Sequence, residues 1–172
     1  MKKVVTRHGI VSVAITALAL ICGVNPKAGA QTAKDLVGTW ALVSVVLEKD
    51  GQKTDMYGPN PNGQFTYGSD GHFSNIIIGS DLPKFASSNR REGTPEENQA
   101  VVQGSLAFFG TYTVDETGKI YTAHIDSSTF PNWTGTDRKE AFSISGDELH
   151  IDPVSKPSTG TGTPHLVLKR TK

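Results

Sequence analysis

The chain has 172 residues, with 17 basic and 17 acidic side chains and a formal net charge of zero. That length suits one domain with a substantial core. Residues 1–30 contain four basic side chains and no acidic one, so the remaining 142 residues hold 13 basic and 17 acidic side chains, a net charge of −4. A mildly acidic domain without a basic cluster has no electrostatic reason to bind polyanions, which excludes nucleic acid as a main partner.

The first 30 residues have the pattern of a secretory signal peptide. Three basic side chains (Lys2, Lys3 and Arg7) precede an apolar run over residues 10–24, and Ala28-Gly29-Ala30 supplies small residues for cleavage after Ala30. An uncleaved anchor is the alternative, but a run of about 15 residues is shorter than the roughly 20 that span a bilayer. We therefore expect a secreted or periplasmic protein without a stable membrane anchor after cleavage, whose domain covers residues 31–172.

The only cysteine, Cys22, lies inside this segment. A lipoprotein acylated at Cys22 is a second alternative, although Ile21 stands where a small residue is expected. Cleavage after Ala30 would leave a mature chain with no thiol, disulfide or thiolate metal ligand.

The mature sequence opens with a long strand that has apolar residues on both faces. Leu36-Val37-Gly38-Thr39-Trp40 leads into an apolar run that ends at Leu47. Strict alternation places Trp40 and Leu42 on one face and Val43 and Val45 on the other, which is typical of a strand covered on both sides.

Turn signals divide the rest of the chain into further short strands and one helix. Thr94-Pro95-Glu96-Glu97 is a capping box with proline at the first helical position, and it predicts a helix from about Pro95 to about Leu106. Val101, Val102 and Leu106 should face the protein. The remaining predicted strands cover residues 52–56, 64–67, 72–78, 108–114, 119–127, 138–144, 148–152 and 165–170.

This arrangement predicts an all-β fold, an antiparallel up-and-down barrel of about eight strands with one short helix. A capped helix beside many short strands fits a barrel better than a sandwich, because it can plug or flank the mouth. Phe65, Phe73, Phe109 and Phe142 are candidate inward positions, and together they could fill a small barrel completely.

Several segments together resemble the bacterial and fungal lipocalin-like domain proteins, over nearly the whole mature chain. The matching segments are Leu36-Val37-Gly38-Thr39-Trp40, Tyr57-Gly58-x-Asn60-Pro61-x-Gly63, Asp70-Gly71, Phe109-Gly110-Thr111-Tyr112-x-Val114, His124-x-Asp126-x-Ser128 and Pro131-Asn132-Trp133-x-Gly135.

The resemblance implies a calycin-type barrel with an internal pocket. Some fungal relatives act as isomerases or cyclases in polyketide or terpenoid maturation, so a catalytic pocket is possible on this scaffold. In true lipocalins a basic residue of the last strand covers the Gly-x-Trp tryptophan. This implies that Gly38 and Trp40 close the barrel, with Arg170 stacked on Trp40 and Lys169 as the substitute.

Four residues are candidates for pocket chemistry. His124 and Asp126 are two apart on a predicted strand and so share a face, where the carboxylate can orient the imidazole. If Tyr112 and His72 converge with them, His124 could move a proton, Asp126 could hold its tautomer and Tyr112 could bind an oxygen. The structural alternative is a polar pair that stiffens the barrel.

Two loop aromatics, Phe130 and Trp133, either contact ligand at the barrel mouth or fold over its hydrophobic floor. Arg138 and Glu140 should form an ion pair. Neither a metal site nor a cofactor is expected, because the mature histidines are dispersed and no nucleophile elbow or phosphate loop is present.

Three functions remain open. The first is binding of a small hydrophobic or amphipathic molecule by His72, Tyr112, His124, Phe130 and Trp133. The second is an isomerase or cyclase that uses His124 and Asp126 in the same pocket, and the third is a filled barrel with a structural or interaction role. Either ligand hypothesis predicts a cavity of a few hundred Å³ lined by at least two of His72, Tyr112, His124 and Trp133. The pattern specifies no oligomeric state.

Overall fold

The computed structural model describes residues 32–117, 119–155 and 162–172. The predicted signal peptide, residues 1–30, lies outside these ranges. Within them, no helix is long and apolar enough to cross a membrane.

Within the described residues, the domain consists of nine strands and two α-helices. In chain order they are α1 (Ala33–Leu36), β1 (Gly38–Lys49), β2 (Gln52–Asp55), β3 (Asn62–Tyr67), β4 (His72–Ile78), α2 (Pro95–Gly104), β5 (Ser105–Asp115), β6 (Ile120–Ser128), a 3₁₀ turn (Pro131–Trp133), β7 (Asp137–Ser145), β8 (Glu148–Pro153) and β9 (Thr163–Arg170).

The sheet closes into an eight-stranded antiparallel barrel with one additional strand. Its order is β2-β1-β3-β4-β5-β6-β7-β8-β9, and β1 also pairs with β9. Strand β1 joins both ends because its first half pairs with β3 and its second half with β2, while β9 lies along its other edge. The predicted all-β up-and-down barrel is confirmed.

One end of the barrel is closed by Trp40. Its ring is fully buried, and its indole N–H donates to the Leu36 carbonyl oxygen at 2.9 Å. Arg170 lies directly opposite Trp40 in the β1–β9 pairing and places its guanidinium 4.0 Å from the centre of the indole ring. The same guanidinium donates to the carbonyl oxygens of Val37 and Asp35, which anchors α1 across this end. The stacking partner expected from the family resemblance is therefore Arg170, and Lys169 is exposed.

Gly38 makes this packing possible. A Cβ atom at that position would lie 2.8 Å from Arg170 Nη1, and its φ of +131° is one that residues with side chains rarely adopt.

A β-bulge in β1 changes the predicted alternation. Leu42 pairs with Leu168 and Ser44 with Val167, so Val43 has no partner on β9. Because of the extra residue, each side chain beyond it points to the face opposite to the one that strict alternation predicts. Val45 is buried on the same side as Trp40 and Leu42, which corrects the strict alternation that separated them.

Helix α2 begins at Pro95 as predicted but ends at Gly104, two residues early. Ser105 already belongs to β5, where it pairs with Ile78, and Leu106 pairs with Ile77. The backbone of Ser105 and Leu106 therefore pairs with β4 instead of continuing the helix. Val102 is 77% exposed, so it is not buried against the barrel as the prediction implied.

The prediction that Phe109 points inward was also wrong. It is 52% exposed, whereas Phe65, Phe73 and Phe142 are buried. Phe109 lies three residues before the inward Tyr112, so the two side chains belong on opposite faces of β5.

Candidate functional site

The barrel interior holds a cavity of about 750 Å³ at the end opposite Trp40. Its walls come from the far halves of the strands, including Val45 and Leu47 of β1, Ile77 of β4 and Ile151 of β8. These side chains point inward because they alternate with outward residues along their strands. They are apolar because the inner face of the strands forms the core. The cavity therefore continues the hydrophobic core toward the open end of the barrel.

Several segments outside the barrel strands line the cavity, among them α2 and the loop between β6 and β7. Helix α2 contributes Val102 and Gln103, and the loop between β6 and β7 contributes Thr129, Phe130 and Trp133. The loop is tied to β5 by paired hydrogen bonds: the Ala107 amide donates to Thr129 Oγ1 at 2.9 Å, and the Thr129 amide donates to the Ala107 carbonyl at 2.8 Å. The two aromatic rings of the loop are thus held at the mouth.

The rim aromatics continue into the interior as a series of edge-to-face contacts. Phe130 and Trp133 have ring centroids 5.9 Å apart, Trp133 and Phe108 5.4 Å, and Phe108 and Phe65 6.4 Å. All four side chains line the cavity. They offer a molecule inside the barrel several aromatic faces and edges.

An ion pair lies in the wall on β7. Arg138 Nε donates to Glu140 Oε1 at 3.2 Å, as expected from the sequence, and the guanidinium stacks over Trp133 at 4.1 Å from the ring centre. Glu140 is only 9% exposed, and its burial raises the pKa of the carboxyl although Arg138 opposes the shift. The pair is thus part of the cavity wall and holds the rim tryptophan.

The deeper part of the cavity contains polar groups among apolar ones. Asn75 and Tyr121 line it, and the hydroxyl of Tyr121 is 3.2 Å from that of Tyr67. Both tyrosines are buried, and burial raises the pKa of each phenol well above its ordinary value. These hydroxyls therefore stay protonated at physiological pH.

The candidate residues His124 and Asp126 share a face of β6, as predicted, but it is the outer face. The inward residues of β6 are Tyr121, Ala123 and Ile125, which alternate with them. The His124 side chain is 51% exposed and its Nδ1 lies 2.7 Å from Asp137 Oδ1, whereas Asp126 is 4.0 Å from Nε2. His124 therefore pairs with Asp137 of the neighbouring strand, which lines the cavity, although His124 itself does not.

His72 and Tyr112 also lie away from the cavity. His72 is exposed beside the Asp70 carboxylate, 3.3 Å away. Tyr112 is buried near the closed end, where its hydroxyl donates to the Gly68 carbonyl at 2.9 Å. Of His72, Tyr112, His124 and Trp133, only Trp133 lines the cavity, so the expected convergence of at least two of them does not occur.

The polar residues of the cavity were missed, although the alternation indicates them. Asn75 has the same parity as Phe73 and Ile77, and Glu140 has the same parity as Phe142. Each is a polar residue at a position that strand periodicity assigns to the core. Such a position is a candidate for a ligand contact.

Within residues 32–117, 119–155 and 162–172, no group of three or more His, Cys, Asp or Glu side chains could hold a metal ion.

A protein-family model described as a lipocalin-like domain matches residues 37–171, the whole barrel from Val37 through Thr171. The chain belongs to the lipocalin-like domain family. No curated protein matches the sequence. In this lipocalin-like barrel, the family match and the closed sheet support the architecture of a binding protein.

Proposed function

We propose that this protein is exported and binds one small, largely apolar molecule inside its barrel. The observation that carries the proposal is the cavity of about 750 Å³ at the open end. Small-molecule sites in proteins are typically cavities of about 300–1,000 Å³ with apolar walls and a few placed polar groups. Val45, Ile77, Ile151 and Leu166 supply such walls, and Asn75 lies among them.

The rim supports the same proposal. Phe130 and Trp133 lie at the mouth in a loop held by hydrogen bonds to β5, and Arg138 stacks on Trp133. Aromatic side chains at the entrance provide contact area at little cost in conformational entropy. A molecule that enters there would pass from water into contact with the two aromatic rings.

The isomerase or cyclase hypothesis receives less support. It needs His124 and Asp126 beside the substrate, and both side chains lie on the outer face of β6. A filled barrel is disfavoured because space remains inside although Phe65, Phe73 and Phe142 are buried there. Binding without catalysis accounts best for a largely apolar cavity that no histidine of the described residues lines.

Native mass spectrometry of the full chain, secreted by its own leader and collected outside the cytoplasm, tests the proposal. We expect a small organic molecule that stays bound in native spectra and is released on denaturation. The mass of the denatured chain should equal that of residues 31–172, because cleavage after Ala30 leaves Gln31 as the first residue.

Ala123→Leu is the informative variant, because Ala123 is buried and lines the cavity. The added side chain should occupy ligand space and remove the bound species. Thr122→Leu is the matched control, since Thr122 precedes Ala123 on the opposite face of β6 and does not line the cavity. Wild-type protein without a small-molecule adduct, or an adduct retained in Ala123→Leu, would overturn the assignment of the cavity as the binding site.

A further inference from the structure

Asn75 is the least expected residue of the barrel interior. It lies on β4 between the buried Phe73 and Ile77, and it is 2% exposed. Its direct neighbours across the sheet are Phe65 of β3 and Phe108 of β5. An asparagine with such neighbours costs folding free energy unless its amide is fully hydrogen-bonded.

The amide of Asn75 is only partly satisfied. It interacts with the hydroxyl of Tyr67, which in turn lies 3.2 Å from the hydroxyl of Tyr121. Within the described part of the chain, Asn75 Oδ1 is a buried side-chain oxygen without a hydrogen-bond partner. Because Asn75 lines the cavity, its unpaired oxygen is a buried acceptor in the cavity wall.

The surrounding charges restrict the group that this acceptor would bind. Glu140 is buried in the same cavity wall, next to Tyr121 in the β6–β7 pairing. An anionic group placed this deep would be close to a carboxylate and far from bulk water. Arg138 is not available as a simple counter-ion, because it is bonded to Glu140 and stacked on Trp133 at the rim, and Lys139, which also lines the cavity, is exposed to solvent.

We infer that the ligand is a neutral amphipathic molecule whose leading end carries a hydroxyl or another hydrogen-bond donor, and that Asn75 Oδ1 accepts its hydrogen bond. The inference rests on the proposed binding function and specifies its ligand class. The apolar body of the molecule lies between the aromatic rings and the aliphatic wall. A donor at the deep end completes the hydrogen bonding of Asn75 and so favours alcohols and phenols over ethers and carboxylates of the same shape.

Calorimetric titration of the ligand-free full chain with three matched probes tests this inference. The probes are 2-naphthol, a neutral donor at pH 7; 2-methoxynaphthalene, a neutral compound of similar shape without a donor; and 2-naphthoate, an anion. We expect 2-naphthol to bind about ten-fold or more tightly than 2-methoxynaphthalene, because one buried acceptor is satisfied only by the donor. Binding of 2-naphthoate should be the weakest.

The variant Asn75→Leu removes the acceptor at nearly constant volume, and the ratio of the two neutral affinities should fall to within about two-fold. Asn75→Val is the second variant, in case leucine prevents folding. Tyr57→Phe is the matched control: it removes a hydroxyl from another residue that lines the cavity but lies outside the series formed by Asn75, Tyr67 and Tyr121, so it should keep the preference for 2-naphthol.

The outcomes separate the two proposals. Equal binding of both neutral probes to the wild type would overturn the inference about Asn75 and leave the binding function intact. A preference lost in Tyr57→Phe but kept in the Asn75 variants would overturn the choice of acceptor. Absence of binding by all three probes would count against the proposed function and, with it, the ligand class.

Discussion

Arg170 connects the last strand to the first helix and to the tryptophan that closes the barrel. Its guanidinium stacks on Trp40 at 4.0 Å and donates to two carbonyl oxygens, at 2.9 Å on Val37 and at 2.6 Å on Asp35. These groups belong to the two ends of the described chain. A single side chain therefore stabilises the closure of the sheet.

Arg170→Ala should lower the free energy of unfolding by about 2–4 kcal/mol, because a cation–π contact and two charge-assisted hydrogen bonds are lost together. Lys169→Ala is the matched control: Lys169 is exposed and should change stability by less than about 0.5 kcal/mol. Urea unfolding followed by circular dichroism measures both. Equal effects of the two substitutions would contradict the structural role of Arg170.

Parity along single strands explains which site residues the sequence could identify. The series Tyr121, Ala123 and Ile125 is apolar and points inward, so His124 must point outward. The spacing predicts correctly that His124 and Asp126 share a face, but the apolar residues on the opposite face place that face outside the barrel. Asn75 and Glu140 could have been found by the same comparison, because each interrupts an inward apolar series.

Helix α2 owes its start to a side-chain cap that also holds the preceding loop. The Glu97 amide donates to Thr94 Oγ1 at 3.2 Å, and the Thr94 amide donates to Glu97 Oε2 at 2.9 Å. Glu97 Oε1 accepts from the Ala86 amide at 2.8 Å. These backbone donors hold the pKa of the Glu97 carboxyl below its usual range, the bond from Ala86 having the largest effect.

Thr94→Ala should destabilise this helix start by about 1 kcal/mol, since the Glu97 amide loses its acceptor. Amide hydrogen exchange should show faster exchange at Glu97 and the next residues of α2, with little change in the barrel strands. Glu96→Gln, in the same first turn but outside the capping box, should leave the exchange pattern nearly unchanged. Uniformly faster exchange across the barrel would show that the cap is not a local element.

The ends of elements depend on partners that the local sequence does not show. The capping box predicted the start of α2, while its end at Gly104 follows from the pairing of Ser105 and Leu106 with β4. The bulge at Val43 arises in the same way, because β9 provides one residue fewer than β1 over that stretch. Sheet partners come from distant parts of the chain, so local patterns cannot reveal these positions.

At the scale of the whole barrel, the buried carboxyl of Glu140 makes the stability of the folded protein depend on pH. Its burial raises the folded-state pKa of the carboxyl above the ordinary value of 4.5, Arg138 lowers it in part, and Asp152 adds to the rise. The carboxyl therefore binds its proton more tightly in the folded protein than in the unfolded chain. Its contribution to stability is fully present below pH 4.5 and is lost as the pH rises through the folded-state pKa.

Wild-type stability relative to Glu140→Gln should therefore decline as the pH increases from about 4 toward neutrality, by at most about 1.4 kcal/mol per pH unit for one proton. Chemical denaturation at a series of pH values measures this difference. Arg138→Gln should make the decline steeper than in the wild type, because the charge that favours the ionised carboxylate is removed. Parallel curves for wild type and Glu140→Gln would contradict a raised pKa.

The sequence by itself determined the all-β class, the helix start at Pro95 and the closure of one end by Gly38, Trp40 and Arg170. Those features depend on strand periodicity, local hydrogen bonding and a family pattern carried by particular residues. Only the tertiary structure decided that a cavity remains inside the barrel and which of the inward side chains line it. The physical reason is that a cavity is the space left between side chains of separate strands, and its volume depends on barrel closure, register and bulges that no single stretch of sequence specifies.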